Sequence, residues 1–206
     1  MRKKVDKERT LVLARQVLEQ EGRAVLTLSN QLDERFCQAI EILMNCSGKV
    51  VITGIGKPGH VGKKIAASLA SLGTPSFFLH ADEGLHGDSG MVTDEDVVVV
   101  ISQSGETAEV LALLAILEKI GCKIISITGH LNCSLARKAD VALVTGVSKE
   151  TDPLNLAPST SSTAMLALGD ALAITLSQLK GFSREDFALF HPGGSLGKRL
   201  LGEKID

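Results

Sequence analysis

Residues 96–102 read DVVVVIS, a run that stays apolar at every step between its polar ends. A strand with one face in water alternates apolar and polar side chains, so a run without alternation must be covered on both faces. Four further short runs, mostly apolar and rich in β-branched residues, accompany it: KVVIT (49–53), SFFLH (76–80), KIISIT (123–128) and DVALVT (140–145). A segment of helical length separates each run from the next, which is the alternation of βαβ units. The pattern predicts an α/β fold, a doubly wound sheet of five parallel strands in three layers.

The flavodoxin-like strand order 2-1-3-4-5 is the expected arrangement of such a sheet. Ahead of it, Leu11, Val12, Ala14, Val17, Leu18, Val25, Leu26 and Leu28 recur at three- and four-residue steps among charged residues. That spacing predicts a long amphipathic helix over 6–31, and a second helix is expected over 33–45. Residues 158–180 read as a long buried helix opened by hydroxyl residues, with Gly181 at its C-terminal cap. No repeat, low-complexity tract or Pro/Ser-rich linker divides the sequence. One domain over 1–206 is therefore expected, with helices over 6–45, an α/β core over 49–180 and a C-terminal segment over 181–206.

A chain of 206 residues can bury a sizeable core. The formal charge of -2 gives no sign of a nucleic-acid surface. Cys37, Cys46, Cys122 and Cys133 are too scattered for a paired metal or redox motif, so reduced thiols and no metal are expected. Charges interrupt the apolar stretch LVLARQVLEQEGRAVL, which is neither a signal core nor a membrane span. Together these features predict a soluble cytoplasmic protein.

The stretch SQSGET, residues 102–107, lies where the central strand should meet its helix. Ligands of open α/β sheets bind outside the carboxyl ends of the strands, where helix N-termini present unpaired amides. Ser102, Ser104 and Thr107 offer short hydroxyl donors, and Gly105 removes a side chain that would keep an anion from the backbone. A phosphate monoester suits such a loop. An ordinary helix cap is the bland reading, and three hydroxyls in six residues favour the anion site over it.

Upstream, GIGKPG places Gly54, Gly56 and Gly59 directly after a strand, with Asp82 and Glu83 near the end of the next. The spacing matches a dinucleotide turn but is common by chance, and Lys57 inside it suits a polar substrate equally well. Pro58 after Lys57 excludes a P-loop, which needs Ser or Thr there, yet suits the first turn of a helix. Loops carrying Lys57, His86, Glu106 and Glu150 should all emerge at the carboxyl edge of the sheet and can share one cleft. Asp88 follows His86 in GLHGDSG. His191 follows the last long helix, and spacing alone does not bring it to that edge.

Taken in order, GIGKPGHVG, TPSFFLHADEGLHGDSGM, ISQSGETAEV, NLAPSTSSTAMLALGDALA and GFSREDFALFHPGGSLGKRL resemble the sugar isomerase (SIS) domain, specifically the D-arabinose 5-phosphate isomerase family. The resemblance runs from Lys49 to Leu200. It implies interconversion of D-ribulose 5-phosphate and D-arabinose 5-phosphate, without a cofactor, on the route to the envelope sugar Kdo. It implies substrate contacts at Gly56, His86, Ser102, Ser104, Gly105 and Thr107 and a catalytic group of Lys57, Glu106, Glu150 and His191. It also implies a homotetramer with active sites at subunit contacts, where His86 or His191 would serve a neighbour's cleft.

This sequence departs from the family at Pro58, where a serine is usual, and at KETDP, which replaces Lys-Glu-Ala-Cys-Pro while keeping Glu150. Many members continue into two CBS modules, whereas this sequence stops at Asp206, either as a naturally short form or as part of a longer chain. Glu150 is expected to be the proton-shuttling base, strengthened by partial desolvation and assisted by Lys57. A sugar-phosphate sensor without catalysis, an NAD-dependent enzyme and an isomerase of another ketose phosphate remain open at this point.

Overall fold

The computed structural model describes residues 5–192. Five strands, β1 (Val50–Gly54), β2 (Ser76–His80), β3 (Val97–Ile101), β4 (Lys123–Thr128) and β5 (Val141–Val144), form one parallel sheet in the order β2-β1-β3-β4-β5, as expected. Every residue of β1 and β3 is buried, which is what continuous apolarity demands of strands covered on both sides.

Helices α1 (Lys7–Asn30), α2 (Glu34–Met44) and α3 (Gly56–Ser71) precede β2. Next come α4 (Ala81–Leu85), a 3₁₀ turn at Asp88–Met91, α5 (Ala108–Ile120), α6 (Ser134–Lys138), α7 (Thr160–Leu179) and α8 (Arg184–Phe190). One face of the sheet packs Ile52, Val99, Ile101 and Ile125 against Leu43 of α2, Ile65 of α3 and Met165 and Leu172 of α7. The other face packs Val51, Val98 and Val100 against Leu113, Leu114 and Leu117 of α5 and Leu135 of α6. Each fully buried leucine contributes about 1.5–3 kcal/mol relative to an exposed one.

Local signals set the helix ends. Asp6 accepts from the Arg9 amide at 3.1 Å and Asp33 from the Arg35 amide at 3.0 Å, so acidic caps open α1 and α2. Beyond α7, Gly181 stands where the sequence places it, with φ +69°. Among the described residues α7 alone has the length and apolarity to span a membrane; here Ala164, Leu168, Leu172 and Leu176 are buried in the core.

The first helix departs from expectation in one respect. Its apolar stripe is largely uncovered: Leu11, Leu13, Leu18 and Leu26 are exposed, Leu18 by 71%, and Leu28 is its one buried residue. The helix forms where its periodicity predicts, but the core of this chain reaches only its C-terminal end.

Candidate active site

In this strand order the chain leaves β1 toward β2 on one side and β3 toward β4 on the other, so the crevice lies between β1 and β3. A cleft of about 510 Å³ occupies that position at the carboxyl edge. Ser102, Ser104 and Thr107 line it with Gln103, and Ile55 and Pro58 face them from the start of α3. His130, Val147, Ser148 and Pro158 close the remaining sides. The structure thus brings the serine loop, the GIGKPG turn and the segment after β5 to one place.

Ser102 turns inward. The residue is 3% exposed, and its hydroxyl accepts from the Gly105 amide at 3.1 Å and pairs with the Thr107 hydroxyl at 3.1 Å. Thr107 occupies the N-cap position of α5 yet makes no side-chain cap bond. Among the described residues the first amides of α5 therefore have no side-chain acceptor, and the bland helix-cap reading of this threonine fails. The exposed Ser104 hydroxyl accepts from the Glu106 amide at 3.2 Å.

Gly105 is required for a reason other than anion approach. It is buried at φ +64°, and a Cβ there would meet Cys133 Sγ at 2.2 Å and Cys133 Cβ at 2.8 Å. The missing side chain makes room for the interior beneath the loop.

The acids also have partners that spacing does not reveal. Glu106 is exposed, and its Oε1 accepts from the Ser134 amide at 2.7 Å, at the start of α6. That amide, then the Ser134 side chain, with Arg137 and His130 nearby, holds the carboxyl below its ordinary range. Glu150 is half-buried, and its Oε2 accepts from the Ser159 amide at 2.9 Å, the Ser161 amide at 3.1 Å and the Ser159 hydroxyl at 3.3 Å. Glu150 thereby anchors the start of α7. Its Oε1 makes no hydrogen bond among the described residues.

Burial pushes the Glu150 carboxyl up, but the hydrogen bonds from Ser161 and Ser159 outweigh burial and hold it below the usual value. The expected gain in basicity by desolvation is therefore reversed in this state. A lowered folded value means stability from Glu150 is complete above its unfolded value of about 4.3 and is lost as pH falls through the folded one. Glu150→Gln, whose side-chain oxygen still accepts but does not titrate, should flatten the acid limb of a urea-unfolding series run from about pH 6 to 3. Superimposable acid limbs for the two proteins would remove Glu150 from the account.

The KETDP departure now has a structural role. Thr151 Oγ1 donates to Ser159 Oγ at 2.7 Å, and Asp152 Oδ2 accepts from the Leu156 and Ala157 amides at 2.9 and 3.1 Å. Asn155 adopts φ +55° and accepts from the Glu150 amide at 2.7 Å. These bonds fold the loop that presents Glu150.

Lys57 is exposed on the first turn of α3, between Gly56 and the cleft-lining Pro58. His86 is exposed at the C-cap of α4, behind the edge strand β2, and Asp88 opens the 3₁₀ turn. Neither Lys57, His86, Glu106 nor Glu150 lines the cleft itself; Pro58 and Ser148 bring the first and last of these near it.

His191 lies at the other end of the molecule. Its ring stacks on Phe187 with centroids 3.9 Å apart, and Nδ1 is 2.9 Å from the Phe187 carbonyl. Phe190 stacks on Phe182, which packs over Gly73 beside the amino end of β2. Within one chain His191 therefore does not reach the cleft, because α7 carries the chain back to the amino edge before α8 begins. The GGSLGKRL part of the last motif falls outside the described residues.

Gln103 and His130 line the cleft without having been singled out in the sequence. The available signal is position alone, since each stands just past the end of a strand. Among the described residues no three His, Cys, Asp or Glu side chains cluster as metal ligands.

The SIS domain profile matches residues 43–175. Arabinose 5-phosphate isomerase KdsD of Pseudomonas aeruginosa is 52% identical over 181 residues, covering 88% of this chain and 56% of its own length. Arabinose 5-phosphate isomerase KpsF of Escherichia coli is 49% identical over 193 residues, covering 93% and 61%. The chain thus spans about three fifths of the length of these curated relatives. The solved structure of an Escherichia coli CFT073 protein in complex with arabinose 5-phosphate superposes with TM-score 0.89 at 46% identity, covering 91% of this chain and all of that one. With the strand order, the crevice and its serine loop in place, these matches mean that the chain belongs to the SIS domain family.

Proposed function

We propose that this chain interconverts D-ribulose 5-phosphate and D-arabinose 5-phosphate through an enediolate, supplying the aldose phosphate from which Kdo is built. The observation that carries the reading is the cleft at the switch point, where a helix start without a side-chain cap faces the loop that leads to Glu150. Similarity to isomerases of this specificity supports it.

In this mechanism the amides opening α5, with Ser104 and Thr107, hold the phosphate, while Ser102 and Gly105 shape the loop. Binding energy at the phosphate fixes the reacting carbons in register. Glu150 takes the C1 proton of the ketose through its uncommitted Oε1. The C1–H electrons form the C1–C2 double bond, and the carbonyl pair moves to the C2 oxygen. Lys57 stabilises that oxygen, and a proton then passes from the C1 hydroxyl to the C2 oxygen; the freed pair on the C1 oxygen forms the aldehyde carbonyl as the C1–C2 double-bond pair takes the proton back from Glu150 at C2. Exclusion of water by the bound sugar works against the hydrogen bonds on Oε2 and restores basicity. Glu106 orients substrate hydroxyls, and Gly56 with His86 completes the binding surface. His191 acts on a neighbour's cleft in ring opening. No cofactor takes part.

Such sharing needs several copies, and the uncovered apolar stripe of α1 supports assembly as a homotetramer. Sedimentation equilibrium should return about four times the 21.7 kDa chain mass; a monomer at all concentrations would remove His191 from the mechanism. Incubation of the purified chain with ribulose 5-phosphate and a panel of related sugar phosphates tests the activity itself. Turnover of the pentulose phosphate above all others is expected, and saturable binding without turnover would make the chain a sensor instead.

A further inference from the structure

The segment from Gly146 to Lys149, which delivers Glu150, has little backbone support. The last ladder bond runs from the Thr145 amide to the Thr128 carbonyl at 2.9 Å. Among the described residues, 146–149 then make two hydrogen bonds to the rest of the chain. One comes from half-buried Gln20, whose Nε2 lies 3.5 Å from the Lys149 carbonyl. The other comes from Gln103, whose Nε2 donates to the Val147 carbonyl at 3.0 Å.

Gln103 is itself held on three sides. Its Oε1 accepts from the buried Thr145 hydroxyl at 3.4 Å, and its backbone carbonyl accepts from the Gly129 amide at 2.9 Å. A Cβ on Gly129 would lie 2.5 Å from Gln103 Nε2, so the loop after β4 leaves just enough room for the side chain to pass. One residue of the serine loop thus bridges the ends of β3, β4 and β5.

We infer that Gln103 is a positioning residue: it fixes the Val147–Glu150 segment at a set distance from the serine loop, and with it the carboxylate relative to a phosphate held at the start of α5. This rests on the isomerase reading. The physical reason is that Val147 precedes Glu150 by three residues, and displacement of a reacting group by about 1 Å can cost on the order of a hundredfold in rate. Side-chain donation to a loop carbonyl is the bond best suited to fix such a stretch, because no neighbouring strand supplies one.

Gln103→Met keeps length and loses both polar atoms. Two readouts are compared with the wild-type protein. Hydrogen exchange at the Glu150, Ser159 and Ser161 amides, all bonded within the Glu150 loop, should accelerate while β3 and α5 stay protected. With arabinose 5-phosphate as substrate, kcat should fall about ten- to hundredfold with KM changed less than about threefold. Gln103→Glu places an acceptor against the Val147 carbonyl when ionised and a donor when protonated. Its turnover relative to wild type should therefore rise as pH is lowered toward the carboxylate range. Unchanged exchange in Gln103→Met overturns the clamp, and faster exchange with unchanged kcat overturns its role in turnover. If the wild-type protein does not turn over the sugar, the isomerase reading fails and the exchange measurement alone decides the clamp.

Discussion

Gly105→Ala should destabilise the chain by about 2–5 kcal/mol, a large share of the roughly 5–15 kcal/mol typical of a domain. Two costs add. An alanine at φ +64° sits in the left-handed region, which costs roughly 1–2 kcal/mol. Its Cβ would also lie 2.2 Å from Cys133 Sγ, and Cys133 is fully buried with its Sγ bonded to the His130 carbonyl at 3.3 Å. Overpacking of this kind costs roughly 1–3 kcal/mol. Adding Cys133→Ala should recover the steric part and leave the backbone part, so the double variant should unfold between the single variant and wild type. A urea midpoint for Gly105→Ala equal to wild type would show that the loop does not depend on this packing.

Glu150→Gln should lower kcat by about a hundred- to ten-thousandfold, the range assigned to a positioned general base. The amide keeps an oxygen for the Ser159 and Ser161 N–H groups, so α7 should stay anchored and affinity for arabinose 5-phosphate should change little. Glu150→Ala should lose the anchor as well, at about 1–2 kcal/mol of stability. The pair of variants separates the two roles of one side chain: the first loses the chemistry and the charge-dependent part of the anchor, the second loses the chemistry and the whole anchor. Turnover within tenfold of wild type in Glu150→Gln would transfer the proton to another group, with Glu106 the next to test.

Several elements are legible in the order of residues by itself. VVVVI had to be a strand of a covered parallel sheet, since a strand lined with apolar residues at successive positions has no face to offer water. Pro58 and Gly181 marked the ends of helices because their backbone preferences are local. The serine loop could be placed at the carboxyl edge because every βα connection of a parallel sheet turns there.

What tertiary structure decided is where side chains find partners. Glu106 bonds the start of α6, Glu150 the start of α7 and Gln103 the loop after β5, each a contact between segments that spacing leaves independent. Gly105 needed its neighbour Cys133 to explain it, and His191 needed the course of α7 and α8 to show that it lies at the amino edge. The division has one cause. Periodicity and backbone preference act over a few residues and are written in order along the chain, whereas protonation, basicity and reach depend on donors and charges brought within about 3 Å by packing.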